Sequence, residues 1–142
     1  MNDERSGYRE IEHTADLAVE VNATNLCGLF SAAAAALFAL IADPGTIEGR
    51  EEIAVSATGD GPEELLHAWL CELLGQFNIK GFIAKSCAVD RLTHQRIDGT
   101  LEGEKLDLSR HAFQTEIKGV TYHDFRVWEE NGSWHARIIF DV

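Results

Sequence analysis

The sequence predicts an α+β fold, a single-domain sandwich in which two main helices pack on a largely antiparallel β-sheet. Three observations carry that expectation. Several short segments alternate apolar with polar residues, two longer ones repeat apolar residues at helical spacing, and Asn131-Gly132 sits between alternating segments as a hairpin turn. At 142 residues, 45% apolar and 25% charged, the chain is long enough for one domain with a real core and short for two.

Taken in order, Tyr8 to Ile11 and Leu17 to Asn22 both alternate and read as strands, with the polar stretch Glu12-His13-Thr14-Ala15-Asp16 between them. A histidine, a threonine and an acid together are more chemistry than a turn requires, although an Asx or Thr turn beside a half-buried imidazole is the simpler account of those five residues. Asn25 or Thr24 can cap a helix whose apolar positions run from Leu26 through Phe30, Ala33 and Leu37 to Ile41, ending at Asp43-Pro44-Gly45. Glu51 to Ala57 alternates again. Pro62 opens a second helix, Glu63 and Glu64 suit the positive end of its dipole, and Leu65, Leu66, Trp69, Leu73, Leu74 and Phe77 form a broad apolar stripe.

Strand-like text returns at Phe82 to Ala84, Cys87 to Val89 and Arg96 to Leu101, with Gly99 and Gly103 as expected bends or bulges. Leu108 to His111 reads as a short helical turn. A two-residue loop at Asn131-Gly132 sets a register with Glu129 opposite Trp134, Phe125 opposite Ile138 and Tyr122 opposite Asp141. Phe125, Val127, Ala136, Ile138 and Phe140 then share the core face, and Asp141 is displayed on the other face with Tyr122 and Asp124.

The 24 acids against 12 Lys plus Arg give a formal charge of -12. No basic cluster interrupts this, which argues against a protein that grips RNA or DNA directly and fits a basic protein partner or a hard cation. No apolar run approaches a bilayer span, and the acidic start lacks the pattern of a secretory signal, so a cytoplasmic protein is expected. Cys27, Cys71 and Cys87 show no paired motif, so they are expected to be reduced and mostly core. Phosphate-loop and nucleophile-elbow motifs are absent. Of the six histidines, His67, His94, His111 and His135 read as surface or satisfied core residues, while His13 and His123 lie in dense polar clusters near strand ends.

What remains is rich in oxygen: Asp16, Asp141 and the terminal carboxylate of Val142. Calcium and magnesium favour such ligands. On spacing alone two unrelated surface acids is the simpler reading.

Several stretches together resemble the archease family: Glu12-His13-Thr14-Ala15-Asp16, the helix from Glu63-Glu64-Leu65-Leu66 through Trp69-Leu70 to Glu72-Leu73-Leu74, Lys118-Gly119-Val120-Thr121-Tyr122-His123, and the closing Phe140-Asp141-Val142. The resemblance covers essentially the whole chain. It departs at Gly119, where the family more often has alanine, and at Leu26 to Phe30, a less acidic helix start than usual. It implies a non-catalytic protein cofactor of the GTP-dependent tRNA-splicing RNA ligase, promoting guanylylation and multiple turnover of that enzyme. It further implies that Asp16, Asp141 and Val142 bind Ca²⁺ or another hard divalent cation. His13, Lys118 and His123 are expected to line or approach the same surface and face the partner. The rival expectation is a small metal-dependent hydrolase using Asp16, His13 and His123.

Overall fold

The computed structural model describes residues 16–142. The expected strand from Tyr8 to Ile11 and His13 lie outside the described residues. Alternation builds β1 (Asp16–Ala23), in which every second residue turns inward. Helix α1 (Leu26–Ile41) follows, and the Asn25 side chain accepts the Gly28 N–H at 2.8 Å, which satisfies one of the unpaired donors of its first turn. Leu29, Phe30, Ala33, Ala34, Leu37, Phe38 and Ile41 are all buried on this helix. A short 3₁₀ turn at Pro44–Thr46, capped by Asp43, leads to β2 (Glu51–Thr58).

Helix α2 (Pro62–Lys80) begins on Pro62 and stops at Gly81, whose φ of 69° gives the left-handed cap that glycine adopts without strain. The remaining strands are β3 (Phe82–Leu92), β4 (Arg96–Lys105), β5 (Gly119–Val120), β6 (Arg126–Glu130) and β7 (Ser133–Asp141). No described helix is long and apolar enough to cross a membrane.

The sheet expected as one layer is two. One has the order β2-β4-β3, and in the other β7 pairs with β1 on one side and with β6 and β5 in succession on the other, all antiparallel. Each helix packs on strands of both sheets, which is why α1 is buried over so wide an arc. Trp69 is fully buried and its indole N–H donates to the Phe30 carbonyl at 3.2 Å, joining the two helices through the core.

Segments that read as two strands at Phe82 to Ala84 and Cys87 to Val89 are one, β3, interrupted by bulges at Lys85 and Asp90. The bulges fall on β3, and the glycines are their partners on β4: Gly103 faces Ala84 and Gly99 faces Val89. Each glycine is needed for close approach. A Cβ on Gly99 would lie 2.7 Å from the Trp69 ring, and one on Gly103 would overlap the Ile83 carbonyl and lie 2.7 Å from Ala84 Cα. Because the obstacle at Gly103 is backbone, Gly103→Ala should destabilise the fold by about 2–3 kcal/mol, read by urea unfolding. A change within about 0.5 kcal/mol, the ordinary range of a surface substitution, would mean that the bulge at Lys85 reseats freely.

The Asn131-Gly132 hairpin forms as expected, with positive φ at both residues and Glu129 opposite Trp134. Phe125, Ala136, Ile138 and Phe140 are buried, and Val127 packs against them half-buried. Upstream the register differs. Gly119 stands opposite Asp141 and Val120 opposite Phe140, not Tyr122 opposite Asp141. The chain between β5 and β6 turns on Asp124 at φ 57°, with the Phe125 N–H donating to the Tyr122 carbonyl at 3.2 Å. That turn absorbs the residues that a continuous strand would have laid along β7.

Candidate functional site

The site is built where β1 starts and β7 ends. Antiparallel pairing puts Asp16 directly opposite Asp141. Residues so paired have Cβ atoms roughly 4.5–5.5 Å apart on one face of the sheet, so two acids separated by most of the chain become immediate neighbours. On the other flank of β7, Gly119 pairs with Asp141 and the Lys118 N–H donates to the Asp141 carbonyl at 2.6 Å. A Cβ on Gly119 would meet nothing within 4 Å, so space beside Asp141 is open there.

Asp141 is not displayed as its alternation predicts. It is half-buried, and its Oδ1 is shut off from solvent with no hydrogen-bond partner among the described residues. Asp141 lies in the inner strand β7, paired with β1 along one edge and with β5 along the other. A carboxylate oxygen in that position is destabilising unless a cation or a donor reaches it, and a second acid across the strand pair adds repulsion. Val142, half-buried, follows Asp141 directly and packs its side chain against the core.

Lys118 is exposed beside this pair. His123 is 80% exposed in the turn after β5, where its Nε2 lies 3.3 Å from Asp124 Oδ2. Among the described residues no hydrogen bond links His123 to Asp16 or Asp141, and no three His, Cys, Asp or Glu side chains converge as a metal cluster. A cation held by the two acids would complete its shell with water or groups of a partner, as hard cations with six to eight oxygen ligands do.

A second polar arrangement lies under the same turn and was not legible in the sequence. His67 on α2 is 6% exposed, and its Nε2–H donates to the Val120 carbonyl at 2.8 Å. That fixes the tautomer and leaves Nδ1 to accept from the Cys71 thiol, 3.6 Å away. The imidazole stacks on Tyr122 with ring centroids 3.7 Å apart and meets Phe125 edge-on at 5.2 Å. His67 is therefore a satisfied core residue that ties α2 to the chain beyond β5.

The cysteines differ from expectation, since Cys27 and Cys71 are exposed and only Cys87 is partly buried. Each of the exposed pair falls on the outward arc of its helix although its sequence neighbours are apolar. Local burial still raises the Cys71 thiol, and burial with the nearby Asp90 charge pushes Cys87 up to about 11, so both are held as thiols.

The class these features define is a small two-sheet α+β protein that joins an early and a late strand of its chain at a pair of carboxylates. The model of the archease protein family matches residues 8–142, and the chain belongs to that family. It is 40% identical to the protein archease of Methanopyrus kandleri over 95% of this chain and 99% of that one. It is 34% identical to the archease of Archaeoglobus fulgidus over 95% and 98%. The solution structure of Methanobacterium thermoautotrophicum protein 1598 superposes with a TM-score of 0.75 at 28% identity, covering 93% of this chain and 96% of that one. The crystal structure of a Thermotoga maritima archease, described as a possible chaperone, shares the fold at TM-score 0.71 and 20% identity, over 95% and 97% of the two chains.

Proposed function

We propose that this chain is a protein cofactor of a GTP-dependent RNA ligase, promoting guanylylation of that enzyme in tRNA splicing or RNA repair, and that it works with a hard divalent cation such as Ca²⁺. The observation that supports this best is the cross-strand pair of Asp16 and Asp141 with one buried oxygen of Asp141 left without a partner among the described residues. Among the described residues the donors at the site are carboxylate oxygens, which suit a hard cation. Carboxylate oxygens lie at the site, and the thiols of Cys71 and Cys87 belong to other elements.

Asp16, Asp141 and the carboxylate of Val142 would hold the ion. When bound, it supplies positive charge of the kind that guanylyl transfer needs to offset a triphosphate. The residues around it do the rest. Strand pairing with β1 and β5 orients Asp141, the Lys118 backbone fixes its carbonyl, and exposed Lys118 and His123 offer polar contacts to the ligase beside the acids.

The formal charge of -12 argues that RNA reaches this protein only through the partner. Two measurements test the proposal. Purified ligase, GTP and Mn²⁺ or Mg²⁺ should guanylylate faster and turn over repeatedly when the chain is added, and the chain alone should neither ligate RNA nor hydrolyse GTP. Free tRNA at physiological salt should bind more weakly than about 1 μM, the tight edge of non-specific association. Turnover by the chain alone, or no effect on the ligase, would reject the proposal.

A further inference from the structure

Tyr122 is 67% exposed although it lies next to the buried Phe125. Exposed tyrosines usually sample several rotamers, but this ring is held from below. Its inner face rests on His67, whose own orientation is set by the Val120 carbonyl and the Cys71 thiol. The backbone on either side is pinned too. The His123 N–H donates to Thr121 Oγ1 at 2.9 Å, and the Phe125 N–H donates to the Tyr122 carbonyl. One aromatic face is thus buried and fixed, and the opposite face is presented to solvent at little further entropic cost on binding.

Among the described residues, three acids stand in this turn or at the adjoining strand ends, with exposed Lys118 the one lysine beside them. Asp124 lies in the same turn, Val120 two residues earlier pairs with Phe140, and the next residue along β7 is Asp141 with Asp16 across from it. His123 is turned toward Asp124. The arginine nearest in the chain, Arg126, does not cover Tyr122, because its guanidinium lies over Trp128 at 5.0 Å from the ring centroid. A fixed electron-rich ring, open on one side and with acids in its own turn and at the adjoining strand ends, is suited to a cation that also has a flat face to lay against it, and arginine is the side chain with both properties.

Resting on the cofactor reading above, we propose that the free face of Tyr122 is the recognition platform for a guanidinium-bearing segment of the protein partner, and that His67 is the positioning residue that holds it. Tyrosine at such a place acts as an interface anchor, because the area it buries is already ordered.

The test measures affinity of the intact chain for the purified GTP-dependent RNA ligase, with Mg²⁺ present throughout. Tyr122→Ala should weaken binding at least tenfold, Tyr122→Phe should stay within twofold, and Tyr122→Leu should resemble alanine, since leucine keeps bulk but not the ring quadrupole. Phenylalanine analogues of increasing fluorine content at position 122 should lower affinity stepwise. His67→Ala should weaken binding with the Tyr122 ring still in place. Retained affinity in both Tyr122→Ala and Tyr122→Leu, alongside lost activation in Asp141→Asn, would overturn the platform and leave the cofactor reading standing. Failure of the unaltered chain to bind or activate the ligase would remove both. Saturable binding of GTP or single-stranded RNA by the chain alone, lost in Tyr122→Ala, would overturn the protein partner in favour of a nucleobase.

Discussion

Asp141→Asn should remove ligase activation and at the same time leave the protein as stable as before, or more so, in chelator. Both effects follow from one arrangement. The wild-type acid faces Asp16 across the strand pair and has a buried oxygen without a partner among the described residues, so in the absence of metal it repels its neighbour and is poorly solvated. The amide relieves that repulsion while removing one of the negative ligand charges that set cation affinity, which should fall at least about tenfold. Calorimetric titration with Ca²⁺ and thermal unfolding with and without the ion separate the two effects. Wild type should melt higher as Ca²⁺ rises above its Kd, because an ion that binds only the folded state stabilises it by mass action, and the variant should show almost no shift. A neutral extension joined to Val142 should act in the same direction by turning the terminal carboxylate into an amide. Full activation of guanylylation by both altered proteins would reject the carboxylate site. A Ca²⁺-dependent rise in melting temperature equal to that of wild type would do so independently of the ligase.

The largest expected loss of stability lies elsewhere, at Glu104. This glutamate is 2% exposed at the end of β4, and four donors meet its carboxylate. Arg110 donates at 2.6 Å, the Glu48 N–H at 2.7 Å, His111 at 2.8 Å and Arg50 at 3.1 Å. His111 is buried and its Nδ1 accepts the Asp107 N–H at 2.8 Å, which leaves the proton on Nε2 to be given to Glu104. The Arg110 hydrogen bond above all, with the Glu48 N–H and His111, holds the Glu104 carboxyl far below the ordinary glutamate range against the opposing effect of burial. Glu104→Gln keeps the shape and turns an NH₂ group toward donors that need an acceptor. Removing one partner of a buried charge pair costs about 3–5 kcal/mol. The lower end applies because Arg50 and Arg110 are 59% and 38% exposed and water screens them.

The variant should therefore melt roughly 10 °C lower at neutral pH. The sign with pH is fixed by the depressed pKa. The unfolded chain takes up the proton near 4.5, the ordinary value, and the folded chain only at far lower pH. The stabilisation is thus complete above about pH 4.5 and is lost progressively as pH falls from there toward the folded-state value. Urea unfolding of both proteins at pH 7 and pH 4 should show the gap between them narrowing in acid. Equal stability at pH 7 would mean that the four donors find water as good a partner as Glu104.

Much of this architecture could be anticipated from residue patterns, for reasons that also explain the omissions. Helix α2 is legible because Pro62, Glu63, Glu64 and the Leu65 to Phe77 stripe all favour the same element, and the hairpin because Asn131-Gly132 permits positive φ at both positions. Register between β5 and β7 was not legible, since it depends on how Asp124 folds a five-residue connection, and nothing in Tyr122-His123-Asp124 announces a turn as strongly as Asn-Gly does. Glu104 occupies a place in β4 that alternation assigns to an ordinary polar residue, and its donors come from separate segments, so their convergence is a property of the loop from Asp107 to His111. Asp16 and Asp141 were each visible as candidates. Their adjacency depends on the full length of the β1–β7 ladder, from Asp16 opposite Asp141 to Ala23 opposite Trp134, and a shift of one residue would have sent one acid to the other face.

The same ladder has a consequence for the biogenesis of the protein. β1 is translated early and its partner β7 more than a hundred residues later, so at ordinary synthesis rates about ten seconds pass with β1 lacking the strand that completes its sheet. Until β7 emerges, β5 and β6 lack the strand they pair with among the described residues. A chain interrupted before Ser133 therefore lacks an entire sheet together with one of the two acids, and an incomplete nascent protein cannot present the carboxylate pair at all.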